Sequence, residues 1–197
     1  MKISVGISNR HIHLKEDDYK ILFGNALIEK EYDLHQKGEF ASTSFVTIEG
    51  PKGTIEKVRI IGPFRTYSQV EVSTSDSHKL GINPPIRKSG DITDSPSILI
   101  IGPKGELQLE NGVIIAERHI HITEEQLKYY KLEQDKPLNI VVRGEKSTIL
   151  GNVHLKVSDN AYFELHLDMD DANACRLKNG DIVDILWKYI VKKCQLI

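Results

Sequence analysis

The residues best suited to chemistry in this sequence are two His-x-His pairs, His11 with His13 and His119 with His121. Residues i and i+2 of a β-strand project from the same face, so each pair can place two imidazoles side by side. Imidazole nitrogens are common ligands of zinc and of other transition metals. Each pair therefore predicts two ligands of one metal ion.

Each pair belongs to a longer segment that occurs twice. Arg10-His11-Ile12-His13 recurs 108 positions later as Arg118-His119-Ile120-His121, and an acidic segment that can start a helix follows each copy. The turns Gly50-Pro51-Lys52-Gly53 and Gly102-Pro103-Lys104-Gly105 are also nearly identical, but they lie 52 positions apart. Because the two spacings differ, the repeat indicates two related halves rather than a solenoid.

Two further side chains can complete such metal sites. Alternation puts His166 on the polar face of a predicted strand over 162–167 and Glu71 on the polar face of one over 68–73. For His166 the alternative is a surface imidazole hydrogen-bonded to Asp168. Three protein ligands with an open position are typical of a catalytic zinc, so five histidines and one glutamate suffice for two open sites. The remaining histidines, which we exclude as loop or solvated residues, are His35, His78 and His154.

The elements that must position these residues are mostly short strands. Eight segments rich in Val, Ile and Thr are separated by Gly, Pro, Asn and Asp, a pattern typical of barrel-like or sandwich β domains. They cover 54–61, 68–73, 97–101, 107–109, 138–142, 147–150, 153–157 and 162–167. Helices are predicted over 15–24, after the capping-box sequence that starts at Thr123, and near 171–177 with Asn179-Gly180 ending it.

Composition excludes several classes of protein. The 197 residues, 40% of them hydrophobic and 27% charged, describe one large or two small globular domains. Lys and Arg number 26 against 28 Asp and Glu, so no basic surface suggests a nucleic-acid or membrane partner. No apolar run is long enough to span a bilayer, and no secretion signal is evident, so we expect a cytoplasmic protein. Cys175 and Cys194 are expected to be ordinary reduced thiols.

Other catalytic motifs are absent from the sequence. It contains no phosphate-binding G-x-x-x-x-G-K-[ST] loop, no G-x-G-x-x-G, no G-x-S-x-G and no H-E-x-x-H. An ATPase, a Rossmann enzyme and a serine hydrolase are therefore excluded. We interpret Cys175 as a packing residue of the last predicted helix rather than as a nucleophile.

Five blocks of sequence carry a resemblance to a known family. They are Arg10-His11-Ile12-His13-Leu14, Gly62-Pro63-Phe64-Arg65 with Gln69-Val70-Glu71, Arg87-Lys88-Ser89-Gly90-Asp91, Arg118-His119-Ile120-His121, and His166-Leu167-Asp168-Met169-Asp170-Asp171-Ala172-Asn173-Ala174. In this order and over residues 3–183, the chain resembles the PduL-type phosphate acyltransferases, also called phosphate propanoyltransferases. Ile122 and Asp171 depart from the family pattern, where Met and Glu are usual. Neither position is a proposed ligand.

The resemblance implies a mainly β fold of two interleaved β-barrels capped by short helices. One barrel would comprise residues 1–9 with 117–197, and the other residues 10–116 with a small insertion near 24–43. Both Arg-His-Ile-His segments, and with them the active site, would then lie at the junction of the barrels.

The implied reaction is the reversible transfer of a short acyl group, propanoyl or acetyl, between coenzyme A and inorganic phosphate. The resemblance implies two zinc ions per chain, one held by His11, His13 and Glu71. The second would be held by His119, His121 and His166, and Arg65 matches the phosphate-binding arginine of the family. It also implies a homodimer, whereas the coenzyme A contacts remain open.

The chemistry fits these groups, because cations are needed to bind phosphate and to stabilise charge on oxygen and sulfur as the thioester breaks. No side-chain nucleophile is evident, so we expect direct transfer in a ternary complex. His11 lies too near the first residue for a microcompartment-targeting extension, which favours a cytoplasmic enzyme. Two alternatives remain from other classes: a metal-dependent thioester or phosphoester hydrolase, and a noncatalytic metal- or coenzyme-A-binding module.

Overall fold

The computed structural model describes residues 1–186, which form two compact units. The first unit, here called the split unit, consists of Met1–Ser8 and residues 118–186. The second, here called the continuous unit, is Asn9–Glu117. Both are mainly β with short helices, as predicted. Cys194 lies outside the described residues, whereas Cys175 is a buried free thiol.

The strands are β1 (Lys2–Ser8), β2 (His11–His13), β3 (Lys30–Asp33), β4 (Phe40–Gly50), β5 (Gly53–Gly62), β6 (Gln69–Glu71), β7 (Ile86–Arg87), β8 (Ile98–Ile101), β9 (Glu106–Leu109), β10 (Val113–Ala116), β11 (His119–Ile122), β12 (Leu138–Val142), β13 (Thr148–Val157), β14 (Glu164–Asp168) and β15 (Ile182–Leu186). The helices are α1 (Glu16–Phe23), α2 (Thr74–Leu80), α3 (Glu124–Tyr129) and α4 (Met169–Cys175).

The split unit is a closed barrel with the strand order β1-β14-β11-β13-β12-β15. The strand β15 closes it, since it pairs antiparallel with both β1 and β12. Apolar side chains alternate into the interior, as Ile3 and Val5 do on β1 and Ile120 and Ile122 on β11. The intervening residues of these strands are left on the outer face, where His119 and His121 lie.

The continuous unit is a curled half-barrel. Its strand order is β7-β10-β6-β2-β5-β4-β8-β9, and β3 pairs with β4 outside this path. The resemblance implied a second barrel, but no strand of the described chain closes this sheet: β4 pairs with β8, while β10 pairs with β7. Because the edge strands β7 and β9 are short, they leave few unpaired backbone N–H and C=O groups at the edges of the sheet. The core includes Ile12, Ile48, Ile60 and Val70, all fully buried.

The chain crosses between the units immediately before each His-x-His segment. Strand β1 pairs with β14 and β15 of the split unit, and the next strand, β2, belongs to the continuous unit. Conversely, β10 pairs with β6 and β7 of the continuous unit, and the next strand, β11, belongs to the split unit. The continuous unit is therefore inserted between β1 and β11 of the split unit.

A short helix follows each of the ligand-bearing strands β2, β6, β11 and β14. A capping box joins Ser73 and Asp76 at the start of α2, and another joins Thr123 and Gln126 at the start of α3, as predicted for the latter. Helix α4 begins after the N-cap Asp168, two residues earlier than predicted. It also ends before Asn179, because Arg176 already adopts a left-handed conformation.

Candidate metal centres

In the continuous unit, His11 and His13 of β2 meet Glu71 of β6. The ladder pairs His11 directly with Glu71, so the three side chains share one face of the sheet. One ligand atom from each lies within 4.8 Å of the others. His11 Nε2 is 3.6 Å from Glu71 Oε2, and the two imidazole rings have centroids 5.0 Å apart. We call this set the His₂Glu cluster.

His13 shows that the His₂Glu cluster fits a metal. Its side chain is buried, and its Nδ1 is the one buried side-chain nitrogen or oxygen without a hydrogen-bond partner among residues 1–186. Burial lowers the pKa of His13 well below its usual range, and the electrostatic effect of neighbouring His11 and Arg65 lowers it further. A neutral imidazole with an unpartnered buried nitrogen is what a metal ligand requires, since an orphaned polar atom otherwise costs free energy.

A buried glutamine supports Glu71. Gln69 lies on the same strand face and is fully buried. Its Nε2 donates to Glu71 Oε1 at 2.7 Å and to Ser89 Oγ at 3.0 Å, and its Oε1 accepts from the Gly90 backbone N–H at 2.7 Å. The Gln69 amide therefore orients the Glu71 carboxylate, and Ser89 and Gly90 of the 87–91 block hold that amide in place.

Arg65 lies beside this network. Its Nη1 donates to Ser89 Oγ at 3.2 Å and to the Tyr67 hydroxyl at 3.0 Å. Its Nη2 donates to Glu39 Oε1 at 2.8 Å. The guanidinium thus already holds one carboxylate, which shows that it can bind an anion at this position. Ser89 connects it to Gln69, and through Gln69 to the His₂Glu cluster.

In the split unit, His119 and His121 of β11 meet His166 of β14, a set we call the His₃ cluster. The ladder pairs His119 with His166. His119 Nε2 and His121 Nε2 are 3.2 Å apart, and one nitrogen from each of the three rings lies within 4.8 Å of the others. Burial lowers the pKa of His121, and the electrostatic effect of neighbouring His166 and His119 lowers it further. Neutral imidazoles are the form that binds metals.

An Arg–Asp pair adjoins each cluster. Arg10 Nε donates to Asp76 Oδ1 at 2.8 Å, and Asp76 is the third residue of α2. Arg118 donates to both carboxylate oxygens of Asp171, the third residue of α4, at 2.7 Å each. Each arginine immediately precedes its His-x-His pair, and each helix follows the strand that carries the third ligand. The pairs therefore tie the two ligand-bearing strands of each cluster together.

The structure also locates the histidines that the sequence analysis excluded. His35 and His78 are exposed. His154 is half-buried on β13, where the ladder pairs it with His119, so it shares the outer face of the barrel without joining the His₃ cluster. Sequence reasoning gave no role to Gln69 or Glu164, although each lies two residues before a proposed ligand on the same strand face.

The fold and these clusters define a two-unit, mainly β protein with two histidine-rich candidate metal centres. A family model described as phosphate propanoyltransferase matches residues 4–178, and the chain belongs to that family. Proteins named phosphate propanoyltransferase are 44% identical in Thermotoga maritima, over 93% of this chain and 89% of the relative, and 41% identical in Rhodopseudomonas palustris, over 95% and 83%. The relative of that name in Priestia megaterium is 44% identical over 91% of this chain and 83% of its own length. The resemblance read from the five blocks is confirmed.

None of the helices in the described part of the chain is long and apolar enough to cross a membrane.

Proposed function

We propose that this protein transfers a short acyl group, propanoyl or acetyl, reversibly between coenzyme A and inorganic phosphate. The observation that carries the proposal is the presence of two three-ligand clusters in a member of the phosphate propanoyltransferase family. Family membership favours this transferase over the hydrolase and over the noncatalytic module. The relatives named phosphate propanoyltransferase suggest propanoyl as the first acyl group to test.

The proposal includes two zinc ions per chain, one in each cluster. Two imidazoles with a carboxylate, or three imidazoles, are donor sets that zinc accepts with an open position left over. The unpartnered Nδ1 of His13 supports a cation at the His₂Glu cluster. When bound, zinc supplies Lewis-acid chemistry toward the thioester carbonyl, the phosphate or the departing sulfur. The same ligands can bind cobalt, iron or manganese, so the native metal has to be identified by elemental analysis.

Arg65 and the absence of a side-chain nucleophile define what the residues of the chain would do in this reaction. Arg65 is proposed to hold the phosphate, because its planar guanidinium donates to two oxygens at once and stays charged at all working pH values. Phosphate oxygen attacks the thioester carbonyl carbon, the carbon–sulfur bond breaks, and coenzyme A leaves with the electron pair of that bond. No acyl-enzyme is required. Burial raises the pKa of the Cys175 thiol, which argues against Cys175 as a nucleophile.

The experiment that tests the activity is release of free thiol from propanoyl-CoA and acetyl-CoA by purified protein, with and without inorganic phosphate. We expect release that depends on phosphate and yields one acyl phosphate per thiol. Release independent of phosphate would identify a thioesterase instead. No release by metal-loaded protein from either thioester would favour the binding module.

The metal is tested separately by elemental analysis of the purified protein. We expect two zinc ions per chain, and loss of thiol release on chelation that added zinc restores. Full activity of protein stripped of metal would overturn the zinc assignment while leaving the transferase standing. A homodimer, a cytoplasmic location and an active site at the junction of the barrels stay predictions of the sequence.

A further inference from the structure

Two side chains that the proposed reaction does not use occupy the same place in the two clusters. In the continuous unit, Gln69 precedes the third ligand Glu71 by two residues, and the ladder pairs Gln69 with His13. In the split unit, Glu164 precedes the third ligand His166 by two residues, and the ladder pairs Glu164 with His121. Each cluster is therefore a square of four positions, with three ligands and one further residue at the fourth corner.

The fourth corner of the split unit is a buried carboxylate. Glu164 is 3% exposed, and its Oε2 lies 2.9 Å from His166 Nε2. Its carboxylate does not join the set of mutually close ligand atoms that the described residues form there, which consists of the three histidines. Glu164 therefore contacts His166, one member of the cluster, without being one of the three mutually close ligand groups.

A carboxylate in this position requires compensation. Burying a carboxylate is costly unless a partner of opposite charge or a hydrogen-bond donor is present. The packing around it is tight: a Cβ on Gly6 of β1 would lie 2.7 Å from Glu164 Oε2 and 2.9 Å from His166 Cδ2. A side chain at position 6 would therefore displace one of the two, and the glycine leaves the pair intact.

The two units distribute the same charge in opposite ways. The continuous unit has the carboxylate as third ligand, Glu71, and a neutral amide, Gln69, behind it. The split unit has a neutral imidazole, His166, as third ligand and the carboxylate, Glu164, behind it. With all imidazoles neutral, each square of four offers a divalent cation one negative charge.

We propose that Glu164 is a positioning residue of the His₃ cluster, with Gln69 as its counterpart at the His₂Glu cluster. A carboxylate only accepts hydrogen bonds, so it fixes the His166 proton on Nε2 and leaves Nδ1 of that ring as the nitrogen that ligates. It also supplies the negative charge that the three neutral imidazoles lack. Gln69 instead donates to Glu71 and orients a ligand that already carries the charge. This inference rests on the metal part of the proposed function.

The test measures cobalt binding, by chelator competition and by the visible absorption of the bound ion, in full-length protein. The His13→Ala background confines binding to the His₃ cluster. There Glu164→Gln is expected to weaken cobalt binding about 10- to 100-fold and to shift the absorption bands, because the charge is lost while the shape is kept. Glu145→Gln is the matched control, since Glu145 is an exposed carboxylate of the same unit. It should change neither quantity.

The reciprocal arm uses the His121→Ala background, in which cobalt binds at the His₂Glu cluster. Gln69→Leu removes the hydrogen bond to Glu71 and should weaken binding there by about 10-fold. This arm keeps the inference testable if Glu164→Gln fails to fold. Cobalt binding to Glu164→Gln with the affinity and spectrum of its parent would overturn the role of Glu164. Failure of the unmutated protein to bind cobalt would overturn both metal sites. This outcome differs from failure of the inference about Glu164, because in that case the unmutated protein still binds cobalt.

Discussion

The two units share a local plan but not an architecture. In each, the His-x-His strand lies between a parallel neighbour and an antiparallel neighbour that carries the third ligand: β13, β11 and β14 in the split unit, β5, β2 and β6 in the continuous one. A further strand, β1 or β10, runs parallel to the third-ligand strand. Beyond this four-strand motif, two strands, β12 and β15, close the split unit, whereas the continuous unit stays an open curled sheet. The clusters thus depend on local ladder register and not on closure.

Equivalent positions differ where the clusters differ. The ladder pairs Gly6 with His166 in the split unit and Ile114 with Glu71 in the continuous unit, and Gly6 and Ile114 correspond in the sequence repeat. Glu164 and His166 fill the space beside Gly6, whereas Ile114 is itself fully buried beside Glu71. The residue that pairs with the third ligand on the neighbouring parallel strand is therefore small in the split unit and large in the continuous unit.

The largest expected effect comes from removing one ligand in each unit. His13→Ala and His121→Ala should each lower kcat for thiol release by about 1,000-fold or more, because each centre supplies electrostatic stabilisation of the reacting groups. Elemental analysis should show loss of about one metal ion per chain in each variant. His78→Ala, at an exposed histidine of α2, is the control and should retain both ions. An active His121→Ala variant would show that the reaction needs only one of the two metal centres.

Placing a methyl group at position 6 should affect one unit selectively. In Gly6→Ala the new Cβ collides with Glu164 and His166, so we expect a loss of about 1–3 kcal/mol in the free energy of unfolding and a metal deficit at the His₃ cluster. Urea unfolding monitored by circular dichroism measures the first, and cobalt absorption in the His13→Ala background measures the second. Ile114→Ala is the companion variant, expected to destabilise the protein through a cavity while the His₃ cluster keeps its metal. Equal damage to the His₃ cluster by both variants would refute this selectivity.

The Arg–Asp pairs predict a smaller, graded difference. Arg118 binds both oxygens of Asp171, whereas both contacts of Arg10 go to one oxygen of Asp76. Lysine cannot reproduce a two-pronged contact, so Arg118→Lys should cost about 1 kcal/mol of unfolding free energy and Arg10→Lys less. Chemical denaturation of the variants at one pH makes the comparison. Arg176→Lys, in an exposed pair with Glu145, is the control variant. Its loss of unfolding free energy should stay near zero.

The sequence predicted the strands better than their partners. Alternation located β6 and β14, which carry the third ligands, but the eight predicted segments omitted the 11-residue strand β4. The prediction also divided β13 into two strands at Gly151-Asn152, where the structure has one strand with Asn152 in a left-handed conformation. It missed α2, whose polar residues lack an apolar face, although its Ser-x-x-Asp start was a readable signal. The residues at the fourth corners, Gln69 and Glu164, could not be found in this way. Their role depends on which residue of a distant strand the ladder sets beside them.

The smallest expected effect concerns Arg65, which has an anion partner inside its own unit. Glu39 lies 2.8 Å from the Arg65 guanidinium, at the end of the connection from β3 to β4 and within the predicted insertion near 24–43. If phosphate uses the same donors, it must displace this carboxylate. Glu39→Gln should therefore lower KM for phosphate by about 2- to 5-fold and leave KM for the acyl-CoA unchanged, because a half-exposed ion pair is worth less than about 1 kcal/mol.

Initial rates at varied phosphate concentration measure this effect, and Glu31→Gln serves as the control. Glu31 is a half-exposed carboxylate that pairs with another arginine, Arg59, on the same sheet, so it removes the same charge without freeing Arg65. A lower phosphate KM in both variants would mean that net charge alone attracts phosphate. A lower value in Glu39→Gln only would assign phosphate to the Arg65 fork. That result would also separate the two centres by task, because Arg65 is linked through Ser89 and Gln69 to the His₂Glu cluster within the continuous unit.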